Sequence, residues 1–211
     1  SQTLSGFVSG ELVDAAINSD RSALPPIGKF KGNYYLSLDP AKGNRDAYTA
    51  CIAHYDGDRF IVDLWYQFSS SWSDGKKSQV NIAEVEAWIL DKHAVYKFAE
   101  VVLDQYNSAA TIQRLSHKLK IREQTWSTPS KTEAFSKLRE LFNSGKIELY
   151  PHEKANQQIK NLTVTYRSSG VWSVSGGAGA GVDDYPAALA GAVLAAREKS
   201  GGSSADWLRY L

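Results

Sequence analysis

Residues 34–48 read YYLSLDPAKGNRDAY, and the fold turns on how this stretch is understood. The run Tyr34, Tyr35, Leu36, Ser37, Leu38 has the aromatic and aliphatic content of a buried strand. It stops on Asp39, with Pro40 next and Lys42 and Arg45 close behind. Asp-Pro is a common way to begin a turn. A carboxylate at the end of a buried strand is also what a metal site requires, and the rest of the chain has to choose.

Working outward, DAYTACIAHYDGDRFIVDLWYQF (46–68) holds two more strands joined at Asp56-Gly57-Asp58, a good hairpin signal. Three antiparallel strands in succession are therefore expected. NIAEVEAWILDKH (81–93) has capping-box spacing at Asn81 and Glu84, with Ile82, Val85 and Ile89 on one helical face. FAEVVLD (98–104) is a short apolar strand that again ends in aspartate, Asp104. SAATIQRLSHKL (108–119) reads as a helix and IREQTW (121–126) as a strand. SKTEAFSKLRELFNSG (130–145) is the clearest helix, with Ser130 and Glu133 as a capping box, a stripe of Phe135, Leu138, Leu141 and Phe142, and Gly145 at its end. KIELY (146–150) is a strand, HEKANQQIKNL (152–162) a helix, and TVTYRSSGVWSV (163–174) an amphipathic hairpin. The glycine loop SGGAGAG (175–181) leads to a last helix, DDYPAALAGAVLAAREK (183–199).

Strands that come first in antiparallel succession and then alternate with helices define an α/β chain. The expectation is a ribonuclease H-like mixed sheet of about five main strands, three antiparallel and then parallel, flanked by helices and carrying an added β-hairpin. Residues 1–32, with Pro25-Pro26 and many Ser, Gly and Asp, read as a linker or arm, residues 33–198 as the domain, and residues 199–211 as a tail.

The chain of 211 residues is 43% hydrophobic and 22% charged, with a formal net charge of +1, so no overall field announces a nucleic acid or a membrane surface. An anionic partner has to be held by a local basic patch. The single cysteine, Cys51, cannot form an internal disulfide; it sits in an apolar run as a small hydrophobe, which suits a reducing compartment. The N-terminus lacks the pattern of a signal peptide. The most apolar stretch, PAALAGAVLAA (186–196), falls short of the roughly 20 residues that span a bilayer.

Acid now stands at the end of three elements: Asp39, Asp104, and the pair Asp183 and Asp184 at the start of the last helix. If the first and fourth strands are parallel neighbours, Asp39 and Asp104 meet at the carboxyl edge of the sheet, where open α/β sheets hold ligands. Two carboxylates about 4 Å apart repel by several kcal/mol at an effective dielectric of about 20. A divalent cation removes that cost, and hard oxygen ligands select Mg²⁺ or Mn²⁺. Each acid also has an ordinary explanation: Asp39 as a turn residue, Asp104 as a cap for the next helix, Asp183 or Asp184 as a first-turn acid facing the helix dipole.

The wording of four segments resembles the C-terminal nuclease domain of tailed-bacteriophage terminase large subunits. They are YYLSLDPAKGNRDAYTACIA, AEVVLDQYNSAATIQRL, STPSKTEAFSKLRELFNSGKIELY and GVDDYPAALAGAVLAA, and the likeness runs from about residue 33 to 197. The resemblance implies a ribonuclease H-like endonuclease that cuts double-stranded concatemeric viral DNA, with low sequence specificity, at the start and end of genome packaging. It implies an acidic triad holding two Mg²⁺ or Mn²⁺ ions, which falls here on Asp39, Asp104 and Asp184, with Asp183 as a further metal ligand. Many relatives carry an acid three residues after the final pair, where this chain has Ala187. The implied partners are double-stranded DNA, the portal protein, the small terminase subunit and the ATPase motor domain of the same protein; the implied place of work is the bacterial host cytoplasm, transiently at the procapsid portal. Residues 1–32 then correspond to the linker from the motor. No GxxxxGK[ST] phosphate loop occurs in the chain, so ATP hydrolysis is not expected of it.

Lys42, Arg45, Lys131, Lys137, Lys154, Lys160 and Arg167 are candidates for contacts to the DNA backbone, each equally readable as a solvated surface charge. Trp72, in what reads as a polar loop, SSSWSDGKK, is a candidate for contact with DNA or a partner, and none of the four histidines has metal-ligand spacing. Two readings of the same fold stay open beside the packaging nuclease: a Holliday-junction resolvase or RNA–DNA hybrid nuclease, and a non-catalytic module that docks on a portal.

Overall fold

The computed structural model describes residues 3–23, 32–40, 47–73, 76–105, 107–166, 172–176 and 183–199. Lys42, Arg45, Asp46, Arg167, most of the glycine loop and nearly all of the tail lie outside the described residues, as does the side chain of Trp72.

β1 (Thr3–Gly6) and α1 (Gly10–Ala16) precede three long strands, β2 (Tyr34–Asp39), β3 (Tyr48–Asp56) and β4 (Arg59–Phe68). A hairpin, β5 (Ser70–Ser73) and β6 (Lys76–Val80), leads to α2 (Ile82–Tyr96), β7 (Glu100–Asp104), α3 (Ala109–Leu115) and β8 (Ile121–Gln124). Then come α4 (Thr128–Asn143), β9 (Ile147–Glu148), α5 (Glu153–Lys160), the hairpin β10 (Thr163–Tyr166) and β11 (Trp172–Ser175), and α6 (Asp184–Lys199). Among the described residues the main sheet has six strands in the order β8-β7-β2-β3-β4-β9. β2, β3 and β4 are antiparallel neighbours, whereas β7 and β8 continue the sheet in parallel from β2. β9 adds two residues in parallel to β4 at the far edge. The turn between β3 and β4 places Gly57 at φ 61°, a conformation for which glycine carries no steric cost.

Strand alternation divides the sheet into two buried faces. Tyr34, Leu36 and Leu38 of β2 join Ala50, Ile52, Val101 and Leu103 in a core closed by Val85 and Ile89 of α2 and by Ile112 and Leu115 of α3. Tyr35, Cys51, Ala53, Val62 and Val102 face the other way, against α4, α5 and α6. Ser37 shares the second face, and α6 crosses there so closely that a Cβ on Gly191 would stand 2.2 Å from the Ser37 hydroxyl oxygen. The small residues of α6 are buried from Ala188 to Ala196.

Three local features differ from the sequence expectation. α4 begins earlier: Ser127 is the cap, its hydroxyl accepting Ser130 N–H at 3.3 Å while the Ser130 hydroxyl accepts Ser127 N–H at 2.9 Å. Pro129 fits the first turn because its missing N–H would have no intrahelical partner there, so the helix extends back past the Ser130–Glu133 pair. SSSWSDGKK contributes to the β5–β6 hairpin rather than to a loop.

The third difference is the arm, which is packed along residues 3–23. β1 pairs antiparallel with β10, making a three-stranded sheet with β11, and Phe7 and Val13 enter the core. Arg21 donates to Glu148 of β9 at 2.5 Å and to the Val62 carbonyl of β4. Apolar residues at 7, 8 and 13 within a polar composition are what allow this segment to dock.

Candidate active site

Asp39 closes β2 and Asp104 closes β7. The parallel pairing ends at Ser37↔Val102, two residues before each acid, so Asp39 and Asp104 stand at the same end of neighbouring strands. Period-two alternation puts both on the face of Ser37 and Val102, the face that α6 covers. The antiparallel pairings Asp39↔Thr49 and Thr49↔Gln67 set Asp39, Thr49 and Gln67 side by side across three strands, with Asp104 at the end of the adjoining one.

α6 begins over this row. The Asp183 carbonyl accepts Ala187 N–H at 2.9 Å, which makes Asp183 the residue that starts the helix and Asp184 the first residue inside it. Asp183 is exposed, Asp39 half-buried, and Asp104 and Asp184 buried. Asp184 is tied down at three atoms or neighbours: Ala47 N–H donates to its Oδ2 at 3.3 Å, the Thr49 hydroxyl donates to its carbonyl at 2.8 Å, and the following N–H, of Tyr185, donates to Gln158 Oε1 at 3.0 Å. One oxygen of Asp104 accepts Asn107 N–H at 3.1 Å. On the opposite face at the same edge, burial pushes the Tyr48 hydroxyl up to about 12, with the charges of Asp39, Glu86 and Asp104 adding to the effect.

Asp39, Asp183 and Asp184 line one cleft together with Lys131 of α4, Ala187 of α6 and an apolar wall of Trp126, Phe135 and Val174. Asp104 adjoins this cleft on the neighbouring strand and is not among its lining residues. Among the described residues, no three His, Cys, Asp or Glu side chains are gathered closely enough to hold a metal ion. The donors nonetheless fit a hard divalent cation in kind: all are carboxylates, and Mg²⁺ is commonly held by one or two of them, with waters and a substrate phosphate completing its shell.

The basic candidates separate. Lys131 is in the cleft. Lys154, at the start of α5, donates to Gln67 Oε1 at 2.8 Å and lies 5.9 Å over the Tyr185 ring, next to the row of acids. Lys137 pairs with Glu140 at 3.3 Å, and Lys160, at the opposite end of α5 from Lys154, pairs with Asp14 of α1 at 2.5 Å. Trp126, Thr49 and Gln158 went unremarked as site residues in the sequence. Trp126 follows the parallel strand β8, so its place at the carboxyl edge was there to be read, whereas Thr49 and Gln158 act through partners 135 and 27 residues away and leave no local signal.

Three antiparallel strands extended by parallel ones, helices on both faces and acids at the carboxyl edge are the ribonuclease H-like fold. Solved structures make the likeness more particular. The chain matches the large terminase of bacteriophage HK97 with a TM-score of 0.74 at 15% identity, over 92% of this chain and 44% of that one. It matches the large terminase nuclease of the thermophilic phage G20c, solved with bound magnesium, with a TM-score of 0.67 at 17% identity, over 90% of this chain and 96% of that one. The nuclease domain of the Thermus phage P74-26 large terminase gives a TM-score of 0.67 at 16% identity, over 89% of this chain and 94% of that one. The chain thus has the fold of a large-terminase nuclease domain; it spans less than half of the HK97 protein and nearly all of the two isolated nucleases. The sequence matches no family model and no curated protein.

Proposed function

We propose that this chain is the DNA-cutting domain of a tailed-phage large terminase, a divalent-metal-dependent endonuclease that cuts double-stranded concatemeric DNA during genome packaging. The observation that carries the reading is the convergence of Asp39, Asp183 and Asp184 on one cleft, with Asp104 at the same end of the neighbouring strand, at the sheet edge of this fold. Asp39, Asp104 and Asp184 are the residues that would hold two Mg²⁺ or Mn²⁺ ions, with Asp183 as an additional ligand. When bound, such ions supply Lewis acidity at the attacking and leaving oxygens of an in-line phosphodiester displacement.

The chain's own residues do the rest. Lys131 offers an ammonium group to a phosphate entering the cleft, and Lys154 stands at its side. Trp126, Phe135 and Val174 keep water from one wall, which strengthens charge interactions across the cleft. Low sequence specificity belongs to the same reading. On the same reading residues 33–198 form the nuclease, the residues before them lead from an ATPase motor, and the working assembly includes portal and small terminase subunit in the host cytoplasm. Among the described residues no helix is long and apolar enough to cross a membrane.

With Mn²⁺, the protein should nick and linearise plasmid, and chelation should stop it. Asp39→Asn, Asp104→Asn and Asp184→Asn should each lower the rate by more than about 100-fold, since loss of a group that merely orients a metal ligand costs about 10–100-fold. Equal cutting by all three variants defeats the assignment. Preference for a four-way junction or an RNA–DNA hybrid over linear duplex would move the substrate to the resolvase or hybrid class, and metal-independent binding to a portal without cleavage would make the chain a docking module.

A further inference from the structure

The first turn of α6 is held in an unusual way. A helix leaves its first N–H groups without intrahelical partners, and the residue at its start commonly satisfies them with its own side chain. Pro186 brings no N–H, so Asp184 and Tyr185 carry the N–H groups that have no acceptor within the helix before the first helical bond, that of Ala187 to Asp183. The Tyr185 N–H goes neither to the Asp183 carboxylate nor to solvent. It donates to Gln158 Oε1 of α5, a side chain only 6% exposed, at 3.0 Å. The carbonyl of the same peptide unit, that of Asp184, accepts from the fully buried Thr49 hydroxyl of β3 at 2.8 Å. One peptide plane is therefore gripped at its oxygen by the sheet and at its nitrogen by a neighbouring helix.

Fixing that plane fixes the backbone on one side of the Asp184 Cα, and the Ala47 N–H at 3.3 Å further orients the carboxylate. We infer that Thr49 and Gln158 are positioning residues that clamp the 184–185 peptide and thereby set the affinity of the acidic edge for a divalent cation. The inference rests on the function proposed above. It also accounts for Asp183, whose carboxylate is spared from capping the Tyr185 N–H and stays at the cleft wall. Both grips hold the backbone of a carboxylate ligand without reaching the cation themselves, and the loss of such partners costs roughly 10–100-fold in metal affinity or activity.

The test uses Thr49→Val and Gln158→Met, near-isosteric changes that remove the hydroxyl and the amide oxygen. Mn²⁺ binding is measured calorimetrically without DNA, alongside melting temperature and Mn²⁺-dependent plasmid cutting. Each variant should weaken Mn²⁺ binding about tenfold or more, and the double variant should lose less than the product of the two, because both act on one peptide. Thr49→Ser, which keeps the hydroxyl, should restore binding. Should Gln158→Met fold poorly, Gln158→Asn, which keeps an amide but draws its oxygen back by one methylene, takes its place; a Tyr185 amide that exchanges no faster there than in the parent would overturn the clamp. Folded Thr49→Val and Gln158→Met proteins that bind Mn²⁺ within twofold of the parent overturn it as well. A parent protein that neither binds Mn²⁺ nor cuts DNA fails earlier, at the proposed nuclease itself.

Discussion

At the scale of single residues, the charges around the cleft are not equivalent. Lys131 and Lys160 look alike in sequence, each a lysine on an amphipathic helix, yet Lys131 lines the cleft and Lys160 is engaged by Asp14. A phosphate contact releases counterions, so its loss shows in the salt dependence of binding. Lys131→Ala should weaken binding to duplex DNA and reduce the slope of log K against log salt by about one. Lys160→Ala should leave that slope unchanged; equal slopes for parent and Lys131→Ala would remove Lys131 from the DNA path. That acids stand at the ends of elements was legible from sequence, because Asp39 and Asp104 close apolar strands while Asp183 and Asp184 open an apolar helix. Which lysines are engaged by acids was not legible, since an ion pair such as Lys160–Asp14 joins residues far apart in the chain. Ala187 completes the picture: it lines the same cleft as Asp183 and Asp184, so an acid at either place on α6 would belong to the same edge.

Among the elements, α6 has the most demanding fit. Its apolar and small composition, which as a sequence excluded little, is the condition for crossing β2 at Ser37. Glycine inside a helix usually costs about 1 kcal/mol relative to alanine, so an exposed Gly→Ala change would stabilise. Gly191→Ala should do the reverse. Its new Cβ would meet the Ser37 oxygen at 2.2 Å and the Ser37 Cβ at 3.3 Å, an overpacking that costs roughly 1–3 kcal/mol. Chemical denaturation measures the sign, and pairing the change with Ser37→Ala should recover part of the loss by removing the nearer atom. A stabilised Gly191→Ala single variant would mean that the helix stands further from the sheet. Element types came through well in the sequence because β-strand and helix periods differ, and the three-strand opening with its Asp-Gly-Asp turn was clear. Boundaries did worse at α4, where two serines three apart, Ser127 and Ser130, both had the chemistry of a cap and only packing chose between them.

For the molecule as a whole, two cores lie back to back on one sheet, and buried phenols are distributed between them. Tyr48 and Tyr96 belong to the α2–α3 side and Tyr150 to the α4–α6 side. Burial pushes each of the three hydroxyls up to about 12. A raised folded value means that the native state favours the protonated phenol. The stabilisation is complete below the unfolded value near 10 and is lost as pH rises from 10 through 12. Melting temperature should therefore fall steeply over that window, with tyrosine ionisation followed by absorbance lagging behind a free-tyrosine curve until the fold opens. Ordinary titration near pH 10 with the fold intact would contradict the burial. The docking of residues 3–23 was the largest feature the sequence understated. Its Ser, Gly and Asp content reads as an arm, and only the spacing of Phe7, Val8 and Val13, together with an open edge on β10, makes it part of the body.

The contact of α6 with β2 has a mechanical consequence. At Gly191 the helix lies against the Ser37 side chain with no room even for a methyl group, so α6 and β2 are packed as one unit and the first and third acids move together. Adjustment to a bulky polymer must then come from the facing side, where Lys131 and Val174 sit on a helix turn and a small hairpin strand. The cleft works like a vice with one stationary jaw, and the stationary jaw is the one that carries the carboxylates.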